Sequence, residues 1–202
     1  LKRLMEEKKN LIKEFGTKKN PKNGGGTSFV LSNGKIFEKV GVNKSTVSGK
    51  FKKEFRSRIL GASKKGIYWA SGVSVVAHMK NPKIPAMHFN TSFIVTSKEW
   101  FGGGMDVTPS HRDFKEKEMV HAMLKKVCNQ NNKNYKKFKT WCDKYFFLPH
   151  RKETRGIGGV FFDYETKNWI ENFKFVRALG LAFIDISKKI IINCVICVLF
   201  YK

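Results

Sequence analysis

The spacing of apolar positions switches from strand to helix periodicity about half-way along the chain. Before the strands begin, Leu4, Met5, Leu11, Ile12 and Phe15 recur at helical intervals, and Gly16 and Pro21 then lead into a loop. Phe29-Val30-Leu31, the turn Ser32-Asn33-Gly34 and Ile36-Phe37-Glu38-Lys39-Val40 predict a hairpin with an Asn-Gly corner. Residues 50–65 are polar and predict a loop or weak helix. Strands are predicted over 68–78, 87–96 and 100–108, the first two separated by Asn81-Pro82-Lys83-Ile84-Pro85. Met119, Val120, Met123, Leu124 and Val127 then recur at three and four, which predicts a helix over 114–128, and a second is expected over 135–147. A strand over 158–163 and a helix over 172–186, with Phe173, Val176, Leu179 and Phe183 on one side, follow. Consecutive strands succeeded by helices predict an α+β fold with a mainly antiparallel sheet.

Length and composition narrow the class. At 202 residues the chain holds about one domain, and 41% hydrophobic residues with 18 Phe exclude wholesale disorder. No stretch reaches the roughly 17 to 20 apolar residues that cross hydrocarbon; 190–201 is the longest candidate. The first nine residues lack the apolar core of a secretory signal, so a cytoplasmic protein is expected. Cys128, Cys142, Cys194 and Cys197 are expected as free thiols in that compartment. The excess of 40 Lys and Arg over 16 Asp and Glu gives a formal charge of +24. That charge suits nucleic acid, yet only seven of the 40 are arginine, the fork-shaped group that reads phosphates and base edges. A solvated lysine coat is the preferred reading, with no nucleic-acid partner.

Candidate chemistry is thinly signalled by spacing. His78, His88, His121 and His150 fall at predicted strand or helix ends that would converge on one sheet edge, and neutral imidazoles serve as metal ligands or as acids and bases. Their separations match no local metal motif. The runs Gly24-Gly25-Gly26 and Gly102-Gly103-Gly104 match no phosphate-binding loop and read as close backbone approach or a strand kink. Cys194 and Cys197 have the spacing of a metal or redox pair but no second pair. Asp106, between Met105 and Val107, is either a carboxyl with a perturbed environment or a turn residue.

Longer strings are more specific. Gly72-Val73-Ser74-Val75-Val76-Ala77-His78, Trp100-Phe101-Gly102-Gly103-Gly104-Met105-Asp106-Val107-Thr108-Pro109 and the segments 34–43, 139–151 and 153–163 resemble the aerobic coproporphyrinogen III oxidase family, in family order over about residues 24–185. The resemblance implies a flat, mainly antiparallel sheet flanked by helices, working as a homodimer. It also implies oxygen-dependent oxidative decarboxylation of coproporphyrinogen III to protoporphyrinogen IX in heme biosynthesis. Molecular oxygen would be co-substrate, with no organic cofactor and a divalent metal cation possible. By motif position, His78, His88, His121 and His150 resemble the family's metal-ligand histidines, and His88 also its proton donor. Ser74, Asn90, Thr91 and Ser92 match substrate-contacting positions, and Asp106 resembles the aspartate that would take a pyrrole N–H proton.

Two departures qualify the expectation. Ser92 stands where the family has an arginine for a substrate propionate, a pair whose loss typically costs about 2 to 5 kcal/mol unless a lysine substitutes. After about residue 186 the likeness is expected to end, giving one partial domain over 1–186 and a divergent apolar tail over 187–202, as in a chain truncated at its C-terminus. The alternative to an enzyme is therefore an inactive remnant that at most binds tetrapyrrole.

Overall fold

The computed structural model describes residues 11–14, 24–111 and 114–200, with side chains over 24–111 and 114–193. Seven strands form one antiparallel sheet: β1 (Leu11–Glu14), β2 (Gly24–Ser32), β3 (Phe37–Lys50), β4 (Ile67–Met79), β5 (Ala86–Val95), β6 (Glu99–Thr108) and β9 (Gly158–Glu165), lying side by side in that order. A small ribbon of β7 (Phe147–Leu148) and β8 (Glu153–Thr154) stands apart from it. The helices are α1 (Lys53–Arg56), α2 (Lys117–Gln130), α3 (Tyr135–Tyr145) and α4 (Trp169–Phe200). Every main-sheet neighbour except β9 follows in sequence, because tight connections such as the Asn33 corner (φ 56°) return the chain beside the strand it left. The α+β class and antiparallel sheet expected from the sequence are both present.

Period-2 alternation sets the two faces of the sheet. Val40, Val75, Ala77, Met87, Phe89, Met105, Val107, Val160 and Phe162 are buried on one face. Helices α2, α3 and α4 close over it with Val120, Leu124, Phe138, Phe175, Leu179 and Phe183. Phe162 forms a triad with Phe138 and Phe175, its ring centroid 5.3 and 5.1 Å from theirs and theirs 5.8 Å apart, and Phe89 stacks on Phe183 at 5.3 Å. Lys133 Nζ reaches Glu165 Oε2 at 2.6 Å and Asn172 Oδ1 at 2.5 Å, which ties the start of α4 to the end of β9.

Two expected elements differ. Residues 11–14, expected in a helix, form β1 against the edge of β2, where a short apolar pair can satisfy backbone groups that an uncovered edge leaves open. The rest of that predicted helix, including Leu4 and Met5, lies outside the described residues, as do Gly16 and Pro21. Helix α4 continues through position 186, because Ile186, Ser187, Ile190 and Ile191 prolong the same buried stripe. The side chains of Cys194 and Cys197 lie outside the described set. Among the described residues no helix is long and apolar enough to cross a membrane.

Candidate active site

The face of the sheet opposite the helices carries small and polar positions in register. Ser28, Asn43, Ser74, Asn90 and Gly104 lie opposite one another across five successive strands. One step along, Gly41, Val76, His88, Asp106 and Gly159 form a parallel row, and on the other side Ser45, Gly72, Ser92 and Gly102 form a third. Glycine therefore recurs where side chains would otherwise stand up from the sheet, leaving a low floor set with serine, asparagine and histidine, with Val76 standing among them and Phe161, packed on α3, closing the β9 end. Ser74, Asn90 and Ser92, three of the expected substrate contacts, share this floor. Thr91 does not: the alternation turns it to the helix-facing side, beside Val73. An open pocket of about 800 Å³ lies at the β2–β3 end, lined among others by Gly26, Ser28, Asn43 and Tyr68. Asn43 and Ser28 belong to the same register row as Ser74 and Asn90, which joins the pocket to the floor.

Asp106 is the buried charge of this face, with 2% of its surface exposed. Its Oδ1 accepts from His88 Nδ1 at 3.0 Å and from Arg155 Nη2 at 2.8 Å. Its Oδ2 accepts from Arg155 Nε at 3.2 Å and lies 3.4 Å from the Thr108 hydroxyl. Arg155 comes from the turn after β8, and its guanidinium carbon sits 3.7 Å from the centre of the Phe146 ring. The backbone turns away at once at Gly156 (φ 58°), where any side chain would run into the carbonyl of Val107 on β6. Only glycine lets the loop pass that close to the strand bearing Asp106. Nothing in the spacing of the sequence marked Arg155, although it lies within one of the segments that carried the resemblance.

Other titratable groups nearby have settled partners. Burial is the main cause pushing the Cys142 thiol up to about 12, helped by the charges of Asp106 and Asp143, and burial alone lifts Cys128 to about 11. Both are inert thiols under ordinary conditions. Asp163, beyond Gly102 on the floor, accepts from Trp100 Nε1 at 2.9 Å and from the backbone N–H of Tyr164 at 2.8 Å. Burial raises its carboxyl above the usual range, and those two hydrogen bonds oppose the shift.

The four histidines are not gathered. His78 lies on β4 on the same face as His88 but is exposed, paired across the ladder with Lys39. His150 is exposed in the turn between β7 and β8. His121, on α2, donates Nε2–H to the carbonyl of Ile157 at 2.9 Å, and its Nδ1 accepts from the Tyr135 hydroxyl at 2.8 Å. Its pKa is lowered chiefly by burial. Among the described residues no three His, Cys, Asp or Glu side chains are placed to share a metal ion. The expected convergence on one sheet edge fails because His88 sits on a strand flanked on both sides, while His121 and His150 belong to other elements. The donor set of the described residues does not fit a common cation.

The sequence model of coproporphyrinogen III oxidase matches residues 2–194. The chain belongs to the coproporphyrinogen III oxidase family. The match covers the whole sheet and continues past position 186. The "oxygen-dependent coproporphyrinogen-III oxidase" of Rickettsia akari (strain Hartford) is 50% identical over 170 residues, covering 83% of this chain and 61% of that protein. The protein of the same name from Rickettsia bellii (strain RML369-C) is 49% identical over 172 residues, 84% of this chain and 62% of the relative. The chain thus spans about three-fifths of the length of the curated relatives it matches. Family membership gives the floor a meaning, since the strings that carry the likeness include His78, Ser74 and Asp106.

Proposed function

We propose that this chain carries the decarboxylating site of an oxygen-dependent coproporphyrinogen III oxidase, acting in heme biosynthesis. The observation that carries the reading is the His88–Asp106 pair set into a floor of glycine and small polar residues, in a chain of this family. A porphyrinogen is a broad ring edged by propionates, so it needs a surface without projecting side chains and a few polar groups to orient it. Ser74, Asn90 and Ser92 supply such groups. For each propionate, R–CH2CH2–COO⁻ plus O2 and one proton gives R–CH=CH2, CO2 and H2O2; dioxygen takes the two electrons released. His88 is partly exposed, within the same row as the buried carboxylate, and in this reading moves protons at the ring edge.

In this reading Ser92 leaves a propionate without the guanidinium that the family supplies. A homodimer, dioxygen as co-substrate and a cytoplasmic setting belong to the same reading. The test is turnover of coproporphyrinogen III under air, followed as protoporphyrin fluorescence after oxidation, with Asp106→Ala as control. Turnover that the substitution abolishes supports the proposal. Folded protein that binds the tetrapyrrole without converting it would favour the remnant.

A further inference from the structure

We infer that Arg155 is a positioning residue: it holds Asp106 so that the carboxylate fixes the ring of His88 with Nε2 outward, and Asp106 does not itself take the pyrrole proton. This rests on the functional reading above and departs from the role that the resemblance gave Asp106. The geometry has four parts. A carboxylate offers about four lone-pair directions, and here two are taken by the arginine fork, one by His88 and one faces Thr108. The Asp106 side chain is 3% exposed whereas that of His88 is 30% exposed, so a ligand on the floor reaches the imidazole and not the carboxylate. The fork approaches both oxygens at once, Nη2 at Oδ1 and Nε at Oδ2, so neither oxygen is left open toward the floor. Finally, because Asp106 accepts at Nδ1–H, the neutral ring of His88 presents Nε2 as a bare acceptor.

Arg155 is itself fixed by contacts that lie outside the main hydrophobic core. Its guanidinium lies on Phe146, its backbone N–H donates to the Phe146 carbonyl at 3.2 Å, and Gly156 folds the chain away from it. The three make a short bracket from the end of α3 to the start of β9. The chain Arg155–Asp106–His88 then reaches from that bracket to the middle of the floor, by hydrogen bonds of 2.8 to 3.2 Å.

The experiment compares the full chain with Arg155→Gln, Arg155→Lys and Asp106→Asn, using long-range 1H–15N spectra of the histidine rings at mildly alkaline pH and steady-state turnover. In the parent, His88 is expected as the Nδ1–H tautomer. In Arg155→Gln and Asp106→Asn the signal moves toward a tautomer mixture, with kcat falling on the order of tenfold to a hundredfold and KM little changed. Arg155→Lys keeps the charge but loses the fork, so it lies between the two; it also supplies the comparison if Arg155→Gln does not fold. An Nε2–H tautomer in the parent, or an unchanged His88 spectrum in a folded Arg155 variant, overturns the inference. So does a rise in KM at constant kcat, which would make Arg155 a direct propionate ligand. If the parent shows no turnover, the proposed function fails while the tautomer comparison still decides this inference.

Discussion

A double-mutant cycle on Asp106 and Arg155 has an asymmetric expected result, because the two partners are buried to different depths. With Arg155→Met the carboxylate stays behind at 2% exposure, with His88 and Thr108 as its remaining partners. Breaking a fully buried pair in this way costs about 3 to 5 kcal/mol, and the retained His88 bond brings the expectation to about 2 to 3. With Asp106→Leu the stranded group is a guanidinium whose side chain is 33% exposed and rests on an aromatic ring. It can turn toward water and keep its cation–π contact, so about 1 to 2 kcal/mol is expected. The double variant strands neither charge and should lose no more than the milder single change, which makes the coupling at least about 2 to 3 kcal/mol. Urea unfolding followed by far-UV circular dichroism measures all four proteins, provided their m-values agree. Effects that add to within about 0.5 kcal/mol, or a larger loss for Asp106→Leu than for Arg155→Met, would refute the assignment of Asp106 as the buried member of a tight pair.

Three further outcomes follow from packing and protonation. Cys128 and Cys142 keep their protons in the folded chain up to about 11 and about 12, against 9.0 when free, so the unfolded state loses protons first as pH rises. Stability should therefore be intact below pH 9 and fall above it by about 1.4 kcal/mol per pH unit for each thiol, and Cys128→Ala with Cys142→Ala should flatten that slope in urea titrations. Phe162→Ala, which removes one ring of the triad with Phe138 and Phe175, should cost about 3 to 5 kcal/mol in the same assay; a loss under about 1.5 would mean the three rings are not interlocked. On the floor, the Cβ of Gly102→Ala would meet side-chain atoms of Asp163 and Ser92 at 2.8 and 3.3 Å, whereas that of Gly159→Ala would run into the backbone of Met105. The first should fold and bind tetrapyrrole less well in fluorescence titrations, and the second should lose stability by about 1 to 3 kcal/mol or more.

What could be read from the sequence, and what could not, divides along the range of the interactions involved. Strands β4 and β5 were legible because alternate positions along each are the more buried, and period-2 alternation is a local property that a single sequence displays; β6, buried on both faces from Trp100 to Val107, was legible as a short apolar run instead. Helix α4 outran its expected end because Ile190 and Ile191 continue the buried stripe past a charged pair, Lys188 and Lys189, that reads locally as a stop. Residues 11–14 went to a strand because the β2 edge offered them partners, a fact about a neighbour and not about Leu11 or Ile12.

The candidate site shows the same division. His88 and Asp106 meet because they are opposite one another in the β5–β6 ladder, 18 positions apart around a short turn, and an observer who knew the register could have paired them. That His121 and His150 do not join them depends on how helices and turns are placed against the sheet, which spacing does not specify. Arg155 is the harder case, 49 positions from its carboxylate and hidden in a sequence with 40 basic residues. Two local features nevertheless set it apart. It is one of only seven arginines in a lysine-rich chain, and it is followed directly by Gly156, with Gly158-Gly159 just beyond. An arginine retained among lysines implies a need for the planar fork, and glycines clustered behind it imply that backbone must pass close to something. Both needs are met here by the same strand: β6 carries the carboxylate that the fork grips and the Val107 carbonyl that the glycine avoids.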